Sequence, residues 1–186
     1  MAAPVVAATN TGRTTTSNTT SHAITLPTGI VAGNLLLVVF SVDSDPTVTV
    51  ETGASGNNWT KLGQSTNGTA ATGAIFWKIA EGSDALTLTT SSSEQSSHSS
   101  YRITGATRVT GTPANNSSTN SDPPDHAGGD GSQDYLWIVT RSGDGTTVAS
   151  AAPANYTNLL TLAAARTNGA SVNSAERTVN GSTSEN

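Results

Sequence analysis

Short apolar runs separated by turn-forming residues dominate this chain. Turn signals rich in Gly, Pro, Asn and Asp recur roughly every 8–12 residues, the spacing typical of sandwiches and barrels. The longest apolar run spans residues 35–40, and its length and β-branched content favour a strand covered on both faces. Other segments, such as Ala85-Leu86-Thr87-Leu88-Thr89, alternate apolar and polar residues. We therefore predict an all-β antiparallel sandwich, of jelly-roll or immunoglobulin-like type.

Composition excludes several classes of protein. Only 11% of the 186 residues are charged, against about a quarter in ordinary domains, and a helical bundle would need more Leu, Glu and Lys. Residues 159–166 are the one helical candidate. The formal net charge of −5 argues against nucleic acid or an anionic membrane as main partner. Without cysteine, disulfides, thiolate metal sites and cysteine nucleophiles are excluded.

The sequence carries no sign of membrane insertion or export. No segment reaches the roughly 18 apolar residues that a spanning helix needs. The N-terminus lacks a charged region followed by a long apolar stretch, so we expect no secretory signal. The apolar strand positions instead predict a hydrophobic core, which contains Leu36, Val38, Phe40, Ile75, Trp77, Leu86, Leu88, Ile103, Leu136 and Ile138.

The second half of the chain repeats the order of features in the first half. An apolar run, an Asp-containing turn and an Asn-aromatic-Thr segment occur in both: Leu35-Leu36-Leu37-Val38-Val39 and Asn58-Trp59-Thr60-Lys61-Leu62 against Leu136-Trp137-Ile138-Val139 and Asn155-Tyr156-Thr157-Asn158-Leu159. Further matches follow: Gly73-Ala74, Lys78 and Glu81-Gly82 against Gly169-Ala170, Arg177 and Asn180-Gly181. The sequence thus predicts a duplicated strand unit.

One domain, 1–186, accounts for this organisation. Its strand units span about 20–110 and 134–186, and a Pro- and Gly-rich segment, 111–133, joins them. That segment is too polar for a core and too long for a simple turn, so we predict a surface loop making intermolecular contacts.

The repeat also predicts an open edge near the C-terminus. Two strands follow Gly82 in the first unit, whereas only five residues follow Gly181. We expect an unpaired edge beside residues 172–179, which would invite pairing with another chain. A neighbouring subunit, or residues 2–20 of an adjacent copy, would supply the missing strand; alternatively, the biological chain runs on past Asn186.

Several of these strings resemble a phage protein theme. They are Leu26-Pro27-Thr28-Gly29, Ala32-Gly33-Asn34-Leu35-Leu36-Leu37-Val38, Asn58-Trp59-Thr60-Lys61-Leu62, Phe76-Trp77-Lys78-Ile79-Ala80 with Gly82, and Ser93-Glu94-Gln95 with Tyr101-Arg102-Ile103. Similar strings occur in uncharacterised β-sandwich proteins of tailed phages, many of them marine. The resemblance spans roughly residues 5–180, and its motifs are structural rather than catalytic. It implies a virion structural protein.

Candidate chemistry is sparse. A His/Asp metal or hydrolase site could form from His126 with Asp122, Asp125 and Asp130, but loop formation explains these residues better. His22, His98 and His126 lie in three different strands or loops, without a spacing such as His-x-x-x-His that would indicate a metal site. Asp43-x-Asp45 could bind Ca²⁺ but lacks the further ligands of a loop motif, so a capped turn is the better interpretation. We predict no catalytic, cofactor or metal residues.

The aromatic residues offer a second class of function. The side chains that could stack on sugar rings are Trp59, Trp77, Trp137, Tyr101 and Tyr135. Trp77 and Trp137 lie in apolar strand runs and are expected in the core, whereas the accessibility of Trp59, Tyr101 and Tyr156 would decide for a sugar-binding face. We expect a non-enzymatic virion protein, a capsid decoration (cement) protein that binds the major capsid protein or other virion proteins as a homo-oligomer. The alternative is a carbohydrate-binding or adhesive module of a tail or fibre.

Overall fold

The structure, a computed structural model, describes residues 3–15, 17–51, 58–114 and 133–182. These residues form eleven strands and no helix. The strands are β1 (Val5–Arg13), β2 (Thr19–Ala23), β3 (Leu35–Asp43), β4 (Val48–Val50), β5 (Thr60–Asn67), β6 (Ala71–Ile79), β7 (Thr87–Glu94), β8 (Ser96–Thr104), β9 (Gln133–Asp144), β10 (Thr157–Leu162) and β11 (Ala170–Ser182). None of the described residues forms a helix long and apolar enough to cross a membrane.

The strands form three antiparallel sheets. A five-stranded sheet has the order β1-β8-β3-β6-β5, and two three-stranded sheets have the orders β2-β7-β4 and β10-β11-β9. The sheets pack against one another, which confirms the predicted all-β antiparallel sandwich. The helical candidate at 159–166 is wrong, because its first half pairs with β11 as strand β10.

The five-stranded sheet is the middle layer. Leu36, Val38 and Phe40 on one face of β3 pack in a first cluster with residues of the β2-β7-β4 sheet. Leu37 and Val39 on the other face pack in a second cluster with residues of the β10-β11-β9 sheet. Successive side chains of a strand point to opposite faces, so a continuous apolar run can supply both layers. The prediction of a doubly covered strand is confirmed.

The predicted core residues divide between full and partial burial. Leu36, Val38, Phe40, Leu86, Leu88 and Ile103 are buried. Ile75, Trp77, Leu136 and Ile138 are half-buried and pack against the second cluster. Trp137, also expected inside, belongs to neither cluster, because its side chain points away from the layer that Leu136 and Ile138 contact.

Three strands from each predicted unit have the same strand order and the same register, and these two sets of strands are called unit one and unit two below. Unit one consists of β3, β6 and β5 in that spatial order, and unit two consists of β9, β11 and β10 in the same order. Leu36 pairs with Lys78 in unit one, and the matching residues Trp137 and Arg177 pair in unit two.

The irregularities of the two units also coincide. Thr60 pairs with Trp77 before a register shift, after which Gly63 pairs with Ile75. The matching pairs in unit two are Thr157 with Glu176 and, after a shift, Leu160 with Ser174. Thus even the β-bulge recurs, as expected for a feature that re-aims a strand.

The turn that follows the first strand of each unit has a left-handed residue at the same position. Ser44 in unit one and Gly145 in unit two have φ angles of 65° and 68°. Thr72 donates a hydrogen bond to the Ser44 carbonyl, and its counterpart Ser171 donates one to the Thr147 carbonyl. Hydroxyls at the same position of the two units therefore bond to the backbone of the two turns, although at different carbonyls.

Two sequence predictions about unit two are wrong. Gly73-Ala74 does not match Gly169-Ala170, because Lys78 and Arg177 fix the register and place Gly169 before β11. The open edge predicted beside residues 172–179 is wrong for residues 172–176, because β11 is the central strand and pairs there with both β9 and β10. Of the predicted loop at 111–133, residues 115–132 lie outside the described residues.

Candidate functional site

His22 of β2 and His98 of β8 lie near each other beside the first cluster, although their spacing along the chain does not indicate a pair. They line an open cavity of about 260 Å³ together with Arg13, Ser96 and neighbouring Thr and Ser residues. Both rings are at least 96% buried, His22 being 4% and His98 2% exposed. This pair is the main cluster of titratable groups among the described residues that could carry chemistry.

A directed chain of hydrogen bonds fixes the His22 ring. The Thr90 hydroxyl donates to the Ser92 carbonyl at 2.7 Å, so it must accept the proton of His22 Nε2 at 3.1 Å. His22 Nδ1 is then an acceptor and receives the Ser96 hydroxyl at 2.9 Å. Ser96 in turn accepts from the Thr14 hydroxyl at 3.2 Å. The neutral imidazole therefore uses both of its nitrogens.

His98 is held in the neutral form by the backbone. Its Nε2 accepts a hydrogen bond from the Thr25 N–H at 3.0 Å, and a backbone donor cannot reverse its role. A Cβ at Gly12 would lie 2.5 Å from the His98 ring, so Gly12 is required for the close approach of β1. Protonation of Nε2 would set two donors against each other.

Burial lowers the pKa of both histidines. Burial lowers the pKa of His22 to about 4; burial, and then the neighbouring His22, lower the pKa of His98 to about 4. A general base works best with a pKa near the operating pH. The Ser96–His22–Thr90 series has the order of a Ser–His–acid triad, but a hydroxyl replaces the carboxylate that would stabilise the imidazolium. The arrangement is suited to structural support rather than to proton transfer at neutral pH.

The other predicted polar candidates do not assemble with this pair. His126, Asp122, Asp125 and Asp130 lie outside the described residues. Asp43 is the last residue of β3, and its pKa is raised, chiefly by burial and further by the nearby Asp144. A hydrogen bond from the Ser44 backbone acts in the opposite direction. Asp45 is exposed in the following turn. No three His, Asp or Glu residues of the described part of the chain meet to hold a metal ion.

Two of the aromatic residues proposed for sugar stacking are buried. Trp59 is 7% exposed and donates its indole N–H to the Ala85 carbonyl at 3.0 Å. Tyr101 is 2% exposed and donates to the Ser174 hydroxyl at 2.5 Å. Tyr156 is half-buried. Tyr135 and Trp137 form a ring pair with centroids 5.7 Å apart on the outer face of β9.

A second cavity of about 380 Å³ lies between β1 and β10, the adjacent edges of two layers. Tyr101, Asn158 and Glu176 line it, and the Asn158 amide contacts the Glu176 carboxylate. Burial chiefly raises the pKa of Tyr101 to about 12, although its hydrogen bonds with Ser174 and Ser99 act in the opposite direction. Tyr101 therefore stays a neutral donor that ties unit one to unit two.

The sequence did not reveal a buried ion pair. Lys78, in the middle of an aromatic strand, is 2% exposed, and its ammonium lies 2.7 Å from Asp84. Burial alone would raise the pKa of Asp84, but Lys78 and the backbone N–H groups of Gly82 and Glu81 outweigh burial and lower it. A signal did exist, since a lone Lys within an apolar strand next to an Asp-containing turn indicates such a pair.

No family model, curated protein or solved structure matches this chain.

Proposed function

We propose that this chain is a non-enzymatic structural protein of a phage virion, a capsid decoration protein that binds the outer shell. Its partners in this proposal are the major capsid protein or other virion proteins, with further copies of itself. Neither nucleic acid nor a membrane is a partner. The proposal begins from the resemblance of its strand motifs to proteins of tailed phages.

The observation that carries the proposal is the length of the edge strands. β9 spans twelve residues and pairs with β11 along one side only among the described residues, and β1 spans nine residues and pairs only with β8. Open edges present unpaired backbone groups that template pairing with another chain. Closed oligomers or docking on a shell would cover them.

Charge supports the same role. The net charge of −5 and the Ser- and Thr-rich surface favour solubility at the high copy number that decoration requires. The alternative of a carbohydrate-binding module loses support from the burial of Trp59 and Tyr101, because a stacking platform needs an accessible aromatic face.

Localisation on particles tests the proposal. Purified virions are analysed by intact-mass spectrometry and by electron microscopy of particles bearing an antibody fragment against the protein. The expected result is a stoichiometric component on the outside of the capsid. Absence from particles, or the presence of only a few copies confined to the tail, would overturn the proposal.

A deletion variant sharpens this test. The variant without residues 115–132 should remain folded yet rebind stripped particles more weakly than the full chain does. Equal rebinding by both proteins would remove that segment from the interface, and loss of folding would contradict its assignment as a surface loop.

A further inference from the structure

Lys78, Asp84 and Glu81 form a cluster of ionisable side chains near the end of β6 and in the turn that follows it. The Lys78 Nζ atom lies 2.7 Å from Asp84 Oδ1 and 3.6 Å from Glu81 Oε2. The side chains of Lys78 and Asp84 are 1% and 0% exposed, whereas that of Glu81 is 60% exposed. An amine and a carboxyl group are thus held together away from water, and a second carboxyl group faces solvent beside them.

The contact between Lys78 and Asp84 lacks the geometry of a hydrogen bond. Lys78 Nζ is buried and has no hydrogen-bond partner. Since Asp84 Oδ1 is well within hydrogen-bond distance, the angle at one of the two atoms must be unsuitable. An ammonium group brings three N–H donors, and buried donors without acceptors are costly. The two groups are therefore close enough to react but poorly satisfied as an ion pair.

Backbone N–H groups hold the other oxygen of the Asp84 carboxyl group. The Gly82 N–H donates to Asp84 Oδ2 at 3.0 Å. The Glu81 N–H donates to the same oxygen at 3.1 Å and to Oδ1 at 3.3 Å. Gly82 has a φ angle of 103°, a conformation that glycine adopts readily. Two N–H donors at these distances from one oxygen are what an oxyanion hole supplies when a carbonyl carbon is attacked.

The Glu81 side chain is oriented towards the amine. Its Oε2 is the oxygen near Lys78 Nζ, and its Oε1 accepts a hydrogen bond from Asn58 Nδ2 at 2.7 Å. Asn58 is thus a positioning residue for Glu81. A carboxylate fixed near an amine can move a proton between that amine and a leaving group. The cluster therefore contains a nucleophile, a carboxyl carbon, oxyanion donors and a group for proton transfer.

We propose that Lys78 and Asp84 condense to form an isopeptide bond, a side-chain amide that the protein makes within itself after folding. This reaction goes beyond the proposed function and does not depend on it. The amide joins β6 of the middle layer to the segment that leads into β7 of an outer layer. It also removes both buried charges, so that no ion pair remains to be desolvated.

The reaction consumes the ion pair and releases one water molecule. A proton first passes from Lys78 Nζ to Asp84 Oδ1, which gives a neutral amine and a neutral carboxylic acid. The amine lone pair then attacks Cγ, and the C=O electron pair moves to Oδ2, where the two backbone N–H groups stabilise it. Glu81 takes a proton from Nζ and gives it to the Oδ1 hydroxyl. That oxygen leaves as water when the C–O bond breaks and the C=O bond to Oδ2 forms again.

The charge state of the pair sets the pace of this reaction. Burial raises the pKa of Asp84, but Lys78 and the N–H groups of Gly82 and Glu81 outweigh burial and lower it. The ion pair is therefore the ground state, and the reactive neutral pair is a minor form. Proximity works in the other direction, because reacting groups held in contact gain a large effective concentration. We expect one slow turnover per chain, over hours to days.

Trypsin distinguishes the amide from the ion pair, because only the amide survives denaturation and blocks cleavage after Lys78. The purified full chain is incubated at neutral pH, denatured and digested, and the masses of its peptides are measured. Lys61, Lys78 and Arg102 are consecutive trypsin sites. The expected product is a single peptide of residues 62–102 that is lighter than its sequence by one water molecule. Its fragment ions should link Lys78 to Asp84.

Matched variants test the roles of the amine and of Glu81. Lys78→Met keeps an apolar stem but lacks the amine, so its peptide of residues 62–102 should have the full mass. Glu81→Gln should remain folded and form the amide at least about tenfold more slowly. Glu51→Gln, the same substitution outside the cluster, should react as the wild type does. The peptide map of the wild-type chain decides the proposal even if Lys78→Met fails to fold.

Three results would count against the inference. Complete cleavage after Lys78 in the incubated wild-type chain would overturn it. So would a loss of water that maps elsewhere, such as a cyclic imide at Asp144-Gly145, which hydroxylamine cleaves whereas the isopeptide bond resists. Equal rates for Glu81→Gln and the wild type would overturn the proton transfer by Glu81. None of these results bears on the particle localisation that tests the proposed function.

Discussion

The Lys78 ammonium and the Asp84 carboxylate lie 2.7 Å apart, and their side chains are only 1% and 0% exposed. Two charges are tolerated at such a site because each compensates the desolvation of the other. The second carboxylate near Lys78, that of Glu81, lies 3.6 Å away but is 60% exposed. The two acids therefore offer a matched comparison around one buried cation.

Asp84→Asn should lower the free energy of unfolding by about 3 kcal/mol, because it leaves the Lys78 charge buried and uncompensated. Glu81→Gln removes an equal charge from solvent and should cost less than about 1 kcal/mol. Urea unfolding of both variants provides the measurement. A similar small loss in both would show that Lys78 does not depend on Asp84.

The two buried histidines predict acid sensitivity. Their pKa values are about 4 in the folded protein and near 6.5 when unfolded, so the unfolded chain binds more protons between these values. Stability should be complete above pH 6.5 and decline as the pH falls towards 4. Unfolding free energies measured from pH 8 to pH 4 would show the slope.

His98→Gln provides the control for this pH dependence. Glutamine can still accept the hydrogen bond from the Thr25 N–H but does not titrate in this range. The variant should be less stable at pH 8 yet have a shallower decline towards pH 4. An unchanged slope would assign the acid sensitivity to other groups.

Phe40→Ala tests the first cluster. Phe40 is 0% exposed, and truncation of such a side chain costs about 3–5 kcal/mol. Val31→Ala, at a residue 57% exposed, should cost about 0.5 kcal/mol or less. Thermal and urea unfolding would distinguish them, and equal effects would contradict the assignment of this core.

Gly73→Ala tests the packing between the two units. A Cβ at Gly73 would lie 2.5 Å from Ser142 Oγ and 3.1 Å from Ser142 Cβ, so the variant should lose about 1–3 kcal/mol. Ser142→Gly in the same chain should restore most of that loss. A double-mutant cycle by urea unfolding measures the coupling, and strictly additive effects would show that β6 and β9 do not meet there.

The sequence predicted the fold where side-chain pattern alone decides it. The apolar run at 35–40 needed two covering layers. The predicted match of Lys78 with Arg177 agrees with the strand register, since each pairs with the equivalent residue of its neighbouring strand. Gly82 and Gly181, also matched in the sequence, both have positive φ angles. The open edge predicted at 172–179 was wrong over residues 172–176, which pair with β10, because strand order depends on long-range pairing that local pattern does not encode.

The candidate site was less predictable, because burial of polar groups depends on distant partners. Nothing near Ser96 or His98 indicates that Thr14, Thr25 and Thr90 supply their hydrogen bonds. The composition of this Ser- and His-rich strand does not indicate burial, whereas residues 96–100 are all buried. Similarly, the side on which Trp137 lies depends on the pairing of β9 with β11.

The hydroxyls of β8 tie the layers together in a way that limits how this protein can come apart. Ser97 and Ser99 bond to Ala170 and Ser174 of β11. Ser100, on the opposite face, bonds to the carbonyl of Thr25. Removing either outer sheet would leave buried hydroxyls of the middle layer without hydrogen-bond partners. We therefore expect the two similar units to unfold together, in a single transition rather than one unit after the other.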